Sequence, residues 1–433
     1  MSGPATDGRA VVVTGLGVLG AVAAGPADLT VALRSGRCAL TTPSPPADAD
    51  RPGVSWPAFT AELAADDVPD RALEALPGLP DALLGTARRT ALRAPVPVRT
   101  GVVAALQAWL EAGLDRTAPP PERIGVTVAG NNLTERVTED GRARAERNPA
   151  YLPARYALQH QDTDHVATLS RVLGVRGEGC TVGGASASGN LALVHGARML
   201  AAGAADVCLV VGAMTRLSQL QTRGFLTLGA MAPADGASPH PPAPFDTGHR
   251  GFHPGQAAAC MVLETAASAR LRGAPPLAGL VGGAVVLDGN HLADPSVDGE
   301  VRAMSGALAQ AGVGAADIGW VSAHGTGSPL GDRTEADALR EVFGAGGQGP
   351  WINATKALSG HCLSAAGVVE AVAAVLQLRA GFVHPVPGLR EPVDPGLRFV
   401  RDQTRRPSRG FVLSNGFGFG GINTAVVLAH PDA

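Results

Sequence analysis

One serine and two histidines, each among small residues, are the side chains of this sequence best suited to chemistry. Ser186 lies within TVGGASASGN (181–190), after a short apolar run and before the small-residue helix pattern of 191–202. A residue at such a strand-to-helix junction stands clear of the backbone. Its own N–H can donate to an oxyanion, and the helix N-terminus favours negative charge beside it. His324 lies in AHGT and His361 ends KALSGH. One hydroxyl and two imidazoles therefore form a candidate catalytic group.

Structural interpretations compete with the catalytic one at each of these positions. Serine is a preferred helix N-cap residue, so Ser186 would serve as a cap as readily as a reacting group. In isolation, His324 and His361 are typical of structural or loop histidines. The order G-x-S-x-x-G over 184–189 departs from the G-x-S-x-G elbow of α/β-hydrolases. This departure disfavours an esterase built on Ser186, His361 and Asp332.

The elements that would position these residues follow an α/β pattern rich in glycine and alanine. Short buried runs predict strands, and apolar residues three and four positions apart predict helices. A second α/β unit is predicted to begin near Pro276, although no sequence repeat between the two units is evident. The predicted strands are the opening run from 11, 124–128, 207–212, 257–263, 280–286, 318–322 and 411–413, and the predicted helices start at Gly25-Pro26 or span 99–113 and 365–378.

Two segments are predicted to lie outside this framework. Residues 39–57 hold many prolines and small polar residues and are predicted to form a surface excursion. Residues 131–148 are strongly charged and are predicted to be a mobile flap or an insertion that faces a partner.

The run GLGVLG (15–20) matches the G-x-G-x-x-G fingerprint of dinucleotide-binding proteins. That fingerprint needs a helix opening on its third glycine and an acidic ribose ligand about 20 residues further on. Here Gly25-Pro26 delays the helix, and RSGR (34–37) stands where a second strand with an acidic end should come. The glycines are therefore predicted to form a tight structural turn and not a cofactor site.

Composition favours a large enzyme of the reducing cytoplasm. The chain has 433 residues, 45% hydrophobic and 17% charged, and its net charge of −3 gives no electrostatic reason to bind nucleic acid or an anionic membrane. Residues 1–10 lack the apolar region of a signal peptide, and no apolar run of about 18 residues predicts a membrane span. None of the five cysteines forms a C-x-x-C pair, which argues against zinc and against secretion.

No metal site is predicted among the remaining histidines. They have no convergent carboxylate or cysteine pattern, and DTDH (162–165) is better explained as a polar loop or helix cap. The histidines concerned are His165, His195, His249, His253 and His291.

Five motifs in order along the chain resemble those of the β-ketoacyl-acyl carrier protein synthases of the thiolase fold. They are VVVTGLG (11–17), PFD with RGF and Gly255 (244–255), AHGT (323–326), KALSGH (356–361) and SNGFGFGGIN (414–423). The resemblance covers nearly the whole chain. It implies a thiolase-like α/β fold with two similar halves in αβαβα layers. It also implies that residues 1–268 form the half carrying Ser186, and that residues 269–433 form the half carrying His324 and His361.

The sequence departs from this family at one position. Ser186 aligns with the cysteine that becomes acylated in the family. Both histidines are retained, a combination similar to the decarboxylating synthase-like proteins of polyketide β-branching cassettes. Those convert malonyl-carrier protein to acetyl-carrier protein for a hydroxymethylglutaryl synthase-type partner. Decarboxylation needs no nucleophile, and His324 and His361 would donate from neutral Nε2–H groups to the enolate oxygen. Ser186 would then be a compact polar filler that blocks priming and self-condensation.

The resemblance also implies supporting residues. Lys356 would help order the second histidine segment, with Glu335 as its carboxylate partner. Asp332 would order the loop after His324. The N–H of Phe419 would complete an oxyanion hole with that of the nucleophile position. No cofactor or metal is expected, because the substrate arrives on the phosphopantetheine arm of an acyl carrier protein.

Two other functions remain open at this stage. Ser186 would be a true nucleophile in an acyltransferase or condensing synthase, or the chain would be an inert partner resembling a chain-length factor. Retention of His324, His361 and Lys356 disfavours the inert partner, which has no chemical use for them. The expected partners are an acyl carrier protein, a second copy of the chain and other enzymes of a polyketide cassette.

Overall fold

The computed structural model describes residues 10–46, 54–234, 240–241, 243–291, 293–407 and 409–433. The N-terminal segment 1–9 and residues 47–53 of the predicted excursion lie outside the described residues. The strands are β1 Val11–Gly20, β2 Ile124–Ala129, β3 Gly179–Val182, β4 Val207–Gly212, β5 Ala257–Thr265, β6 Ala278–Leu287, β7 Ile318–Ser322, β8 Trp351–Asn353, β9 Arg398–Phe399, β10 Phe411–Gly418 and β11 Ile422–Ala429. The helices are α1 Pro26–Ser35, α2 Val68–Glu74, α3 Asp81–Ala91, α4 Val96–Glu111, α5 Glu135–Arg147, α6 Tyr156–Gln159, α7 Thr163–Leu173, α8 Ser188–Ala201, α9 Gln219–Thr227, α10 Ala266–Arg272, α11 Val297–Ala311, α12 Pro329–Phe343, α13 Lys356–Ser359 and α14 Ala366–Ala380.

The strands divide into two groups with the same internal order. The first group runs β3-β2-β4-β5-β1, and the second runs β8-β7-β10-β11-β6 with β9 added beside β8. Corresponding pairs also agree in direction. In the order given, the first three strands of each group are parallel to one another, and the next two pairings in each group are antiparallel. A short antiparallel pairing of Val12–Val13 with Ala278–Gly279 joins the groups. The chain therefore contains a structural repeat without a recognisable sequence repeat.

Two buried helices fill the space between the two groups of strands. Helix α8 packs on β2 and β4, α14 packs on β10 and β5, and the two helices contact each other. A Cβ atom added to Gly189 of α8 would lie 2.6 Å from the Cα of Gly367 of α14, so glycine is needed for this approach. Helix α4 covers β1 and β5 on one outer face, and α11 covers β6 and β11 on the other. These five layers confirm the predicted fold class.

The glycines of GLGVLG have a different role from the one predicted. They lie inside β1, which runs without a break from Val11 to Gly20, and not in a tight turn. A Cβ atom on Gly15 would lie 2.1 Å from the Ala108 carbonyl oxygen, and one on Gly17 would lie 1.9 Å from that of Ala104. The glycines therefore allow the backbone of α4 to approach the strand.

The charged segment 131–148, predicted to be a mobile flap or an insertion that faces a partner, contains helix α5. Pairs four residues apart, Arg136 with Asp140 and Arg142 with Glu146, support this helix. Among the described residues, one stretch, Leu363–Ala380, is long and apolar enough to span a membrane. It is the central core helix α14 with its preceding turn, and 83% of the stretch is buried inside the protein.

Candidate active site

Ser186 lies in a tight turn between β3 and α8. Ala185, directly before it, has a positive φ of 47°, a conformation that costs a non-glycine residue about 1–3 kcal/mol. Ser188 braces the turn, because its Oγ accepts from the Gly184 N–H at 2.9 Å and donates to the Ala185 carbonyl at 2.6 Å. Helix α8 begins at Ser188 with Ala187 at the N-cap position, so Ser186 does not cap the helix.

His361 faces the serine from the turn that leads into α14. Its Nε2 lies 2.9 Å from the Ser186 Oγ, and its Nδ1 accepts the Leu363 N–H at 3.2 Å. Because a neutral imidazole carries one N–H, acceptance at Nδ1 places the proton on Nε2. His361 therefore donates to Ser186. Leu363 has a positive φ of 51° and stands three residues before α14, as Ala185 stands three before α8.

His324 follows β7 and lies edge-on to the ring of His361, with centroids 5.7 Å apart. Its position is set through the backbone, because the Glu335 carboxylate accepts the N–H groups of His324 and Gly325, each at 2.8 Å. The Lys356 ammonium lies 3.3 Å from the His324 Nδ1 and, having no acceptor, donates to it. His324 therefore also carries its proton on Nε2.

The predicted pairing of Lys356 with Glu335 is wrong. The Lys356 Nζ forms an ion pair with Glu370 of α14 at 2.6 Å and donates to the His324 carbonyl at 2.5 Å. Glu335 is committed elsewhere, since the Asn415 Nδ2 donates to it at 3.0 Å in addition to the two backbone N–H groups. A carboxylate with both oxygens occupied by N–H donors needs no ammonium partner.

Asp332 and Phe419 occupy different parts of the site. Asp332 accepts the N–H groups of Thr326 and Gly327 at 3.0 and 3.1 Å, so it holds the loop after His324 as expected. Phe419 is 43% exposed at the mouth of the site and is not a core residue. The chain turns sharply behind it at Gly420, where φ is +92°.

The SNGFGFGG segment touches the serine turn directly. A Cβ atom on Gly418 would lie 2.4 Å from the Gly184 carbonyl oxygen and 3.1 Å from the Ala187 nitrogen. The backbone before Phe419 is therefore held against the turn that carries Ser186, which is compatible with the expected oxyanion role of the Phe419 N–H.

Burial and positive charge keep both histidines neutral. Burial lowers the pKa of His324 well below its usual range, and Lys356 and His361 lower it further. Burial, followed by Lys356, likewise lowers the pKa of His361 well below normal. The site therefore presents two neutral imidazoles, both protonated on Nε2.

These groups line a cavity of about 620 Å³. Its wall includes Ser186, both histidines and a set of aromatic side chains: Phe225, Phe252, Phe417 and Phe419. The ring of Phe252 packs edge-on against His361 with centroids 5.2 Å apart, and Phe417 packs against His324 at 5.6 Å. Cavities with aromatic walls and a few convergent polar groups are typical of small-molecule binding sites.

Sequence reasoning missed two acidic residues of the site. Glu370 is the single acidic residue of the mostly apolar core helix α14, and its position among buried apolar residues was a usable signal. Glu300 of α11 is 1% exposed and lines the cavity, with no motif to mark it. Over the described part of the chain, no group of three His, Cys, Asp or Glu side chains could hold a metal ion.

Comparisons with known proteins agree with this architecture. The sequence matches the family models "Beta-ketoacyl synthase, N-terminal domain" over residues 8–269 and "Beta-ketoacyl synthase, C-terminal domain" over residues 277–390. It is 34% identical over 424 residues to the polyketide biosynthesis malonyl-ACP decarboxylase PksF of Bacillus subtilis, covering 97% of this chain and 96% of that protein. It is 32% identical over 337 residues to 3-oxoacyl-[acyl-carrier-protein] synthase 2 of Vibrio cholerae, covering 76% of this chain and 81% of that protein.

Solved structures give the same result. The ishigamide ketosynthase/chain length factor aligns with a TM-score of 0.84 and 26% identity over 98% of this chain and 99% of that chain. A β-ketoacyl synthase from Burkholderia phymatum aligns with a TM-score of 0.81 and 27% identity over 97% of this chain and 99% of that chain. On its matched domains, its relatives and its thiolase fold, the chain belongs to the β-ketoacyl synthase family.

Proposed function

We propose that the protein decarboxylates malonyl-acyl carrier protein to acetyl-acyl carrier protein in polyketide biosynthesis, without an acyl-enzyme. The observation that carries this proposal is the tautomer of the two histidines. His324 and His361 each accept a hydrogen bond at Nδ1 and so direct an Nε2–H into the cavity. The likeness to a malonyl-ACP decarboxylase across nearly the whole chain supports the same reaction.

The Ser186–His361 hydrogen bond argues against a nucleophilic serine. A serine hydroxyl needs a general base to take its proton during attack. The His361 Nε2 faces the hydroxyl at 2.9 Å but already carries a proton, because Nδ1 is occupied by the Leu363 N–H. Ser186 is therefore a hydrogen-bond acceptor that fills the position of the family's cysteine.

The same donors suit the transition state of decarboxylation. As the bond from Cα to the carboxyl carbon breaks, the electron pair moves onto the thioester oxygen and CO2 leaves. The Nε2–H of His324 faces that oxygen, and the Nε2–H of His361 reaches it by exchanging its hydrogen bond to Ser186 for one to the enolate. Removal of one such donor costs about 2.7–4 kcal/mol. Neutral imidazoles suit this role because they add no positive charge that would hold the substrate carboxylate in place.

The rest of the functional unit follows from this reaction. The substrate is carried on the phosphopantetheine arm of the carrier protein, so the enzyme itself uses no further cofactor. The protein acts as a homodimer in the cytoplasm beside other enzymes of a polyketide cassette. Residues 1–268 form the half that supplies Ser186, and residues 269–433 the half that supplies both histidines.

Intact-mass spectrometry of malonyl-carrier protein incubated with the enzyme tests the proposal. We expect loss of the mass of CO2 from the carrier protein and no mass gain on the enzyme. His324→Ala and His361→Ala should each slow the reaction at least about a hundredfold, whereas Ser186→Ala should cost much less. Rapid acylation of the peptide containing Ser186 would instead identify an acyltransferase or condensing synthase. Absence of any turnover would favour an inert partner subunit.

A further inference from the structure

The first turn of α11 brings a carboxyl group into the wall of the cavity. Glu300 is 1% exposed and lines the same cavity as Ser186, His324 and His361. The turn is tightly fixed, because a Cβ atom on Gly299 would lie 1.6 Å from the Asp288 Oδ1 and 2.5 Å from the Asn423 Nδ2. The position of Glu300 is therefore set by backbone packing.

The Glu300 carboxyl differs from its acidic neighbours in its hydrogen bonds. Both oxygens of Glu335 accept N–H groups, and Asp332 accepts four, from Phe245, His249, Thr326 and Gly327. The Asp288 Oδ1 accepts from Asn423 at 2.6 Å. Among the described residues, the Glu300 Oε2 and the Asp288 Oδ2 are both buried without a hydrogen-bond partner, but Asp288 is held by Asn423 through its other oxygen. A buried carboxylate in this condition costs far more free energy than the neutral carboxylic acid.

The electrostatic surroundings favour the neutral acid. Burial, followed by the charges of Glu335, Asp288 and Asp332, raises the pKa of Glu300 well above its usual range. These acids face it from the loop after β6 and from α12. Arg302 lies only two residues further along α11, but its guanidinium pairs with Asp298 on the exposed side at 2.7 Å.

The proposed reaction needs a proton that its other groups do not supply. The enolate becomes acetyl thioester only when its Cα gains a hydrogen. His324 and His361 are neutral and would have to become imidazolates, and the Lys356 ammonium is held behind His324 by Glu370. A condensing synthase has no such step, because its carbanion attacks an acyl group.

We propose that Glu300 is the acid that protonates Cα of the enolate. This inference rests on the proposed decarboxylation. The O–H bond of Glu300 breaks as a C–H bond forms at Cα, the thioester carbonyl re-forms, and Glu300 is left as a carboxylate. Solvent then reprotonates it, so each turnover consumes one proton and releases one CO2. Glu300 lies in the first turn of α11, where the helix dipole favours the transient negative charge.

Glu300→Gln tests this role because it keeps the shape and a hydrogen-bond donor but has no transferable proton. Asp298→Asn, on the exposed side of the same helix turn, is the matched control. The first measurement is single-turnover formation of acetyl-carrier protein against pH. The second is deuterium uptake into the methyl group of acetyl-carrier protein in D2O, which reports the reverse proton transfer without decarboxylation.

We expect Glu300→Gln to slow both processes about a hundredfold, within the range of general acid catalysis, and Asp298→Asn to leave both unchanged. The wild-type rate should fall at high pH as Glu300 ionises, and that alkaline limb should vanish in Glu300→Gln. Glu300→Asp should retain part of the exchange and the alkaline limb, even if the glutamine variant folds poorly. Wild-type rates and an unchanged alkaline limb in Glu300→Gln would overturn the role of Glu300 alone. A wild-type enzyme that releases no CO2 would overturn the decarboxylation itself.

Discussion

Replacement of Lys356 by methionine should separate the stability of the site from its chemistry. The ammonium contacts three groups at once: the Glu370 carboxylate at 2.6 Å, the His324 carbonyl at 2.5 Å and the His324 Nδ1 at 3.3 Å. Methionine has a similar length and no charge. The substitution therefore leaves Glu370 buried alone and removes the donor that keeps the His324 proton on Nε2.

The cost to stability follows from the burial of the pair. Removing one partner of a buried ion pair costs about 3–5 kcal/mol. Burial already raises the pKa of Glu370 to about 7, with Lys356 opposing it, so loss of the ammonium should raise the pKa further. When the pKa of Glu370 is higher in the folded state than in the unfolded state, the free energy of unfolding decreases as pH rises between the two values. The penalty of Lys356→Met relative to wild type should accordingly grow by up to about 1.4 kcal/mol per pH unit above about pH 7, where Glu370 of the wild type ionises, until Glu370 of the folded variant ionises as well.

The double variant Lys356→Met/Glu370→Gln removes both charges and supplies the control. Urea unfolding should show most of the lost stability restored and the pH dependence abolished. Decarboxylation, followed by mass spectrometry of the carrier protein, should stay at least about tenfold below wild type in both variants, because the Nδ1 donor to His324 is absent in both. Recovery of activity together with stability in the double variant would refute a role for Lys356 in setting the histidine tautomer.

Three further predictions follow from contacts described above. Ser186→Cys should be labelled by iodoacetamide at residue 186, because a thiol at a helix N-terminus has a lowered pKa and a raised reactivity. Peptide mapping is required to locate the label, because Cys38 is also exposed. A folded, active variant that stays unlabelled at residue 186 would contradict the placement of this side chain in the cavity. Gly17→Ala should lower the free energy of unfolding, measured by urea titration, by about 1–3 kcal/mol, because its Cβ would lie 1.9 Å from the Ala104 carbonyl oxygen. The control Gly224→Ala should cause no such loss of stability, because no atom lies within 4 Å of the added Cβ. Burial lowers the pKa of His165, His253 and His384 to about 4 each. The free energy of unfolding should therefore fall as pH drops below about 6.5, by up to about 1.4 kcal/mol per pH unit for each of these histidines. The variant His384→Gln should show a smaller dependence of this free energy on pH.

Local patterns in the sequence were enough to predict the main elements. The strand predicted at 207–212 coincides with β4, and the helices predicted at 99–113 and 365–378 overlap α4 and α14. These segments succeed because burial of a strand or helix leaves a period that can be read residue by residue. The motif order also led to the correct family, since it spans both halves of the chain.

The failures concern which parts of the chain meet in space. Lys356 was assigned to Glu335, but Glu335 is occupied by backbone N–H groups, which no side-chain pattern reveals, and Glu370 is the actual partner. The glycines at 15 and 17 were interpreted locally as a turn, although α4, some 90 residues later, requires them. Glu300 was missed for the same reason, because its significance depends on a cavity formed by distant segments.

The repeated strand order extends to the two strained turns that lead into α8 and α14. The turn before α8 and the turn before α14 occupy equivalent places in the two halves, and each contains a non-glycine residue of positive φ, Ala185 and Leu363. One turn presents Ser186, and the other follows His361 and fixes its tautomer. The same strained turn therefore recurs in both halves of the repeated scaffold, with a different side chain displayed beside each. Serine or cysteine at position 186 would be displayed in the same way, because the turn is held by the backbone and by Ser188 and not by the side chain of residue 186.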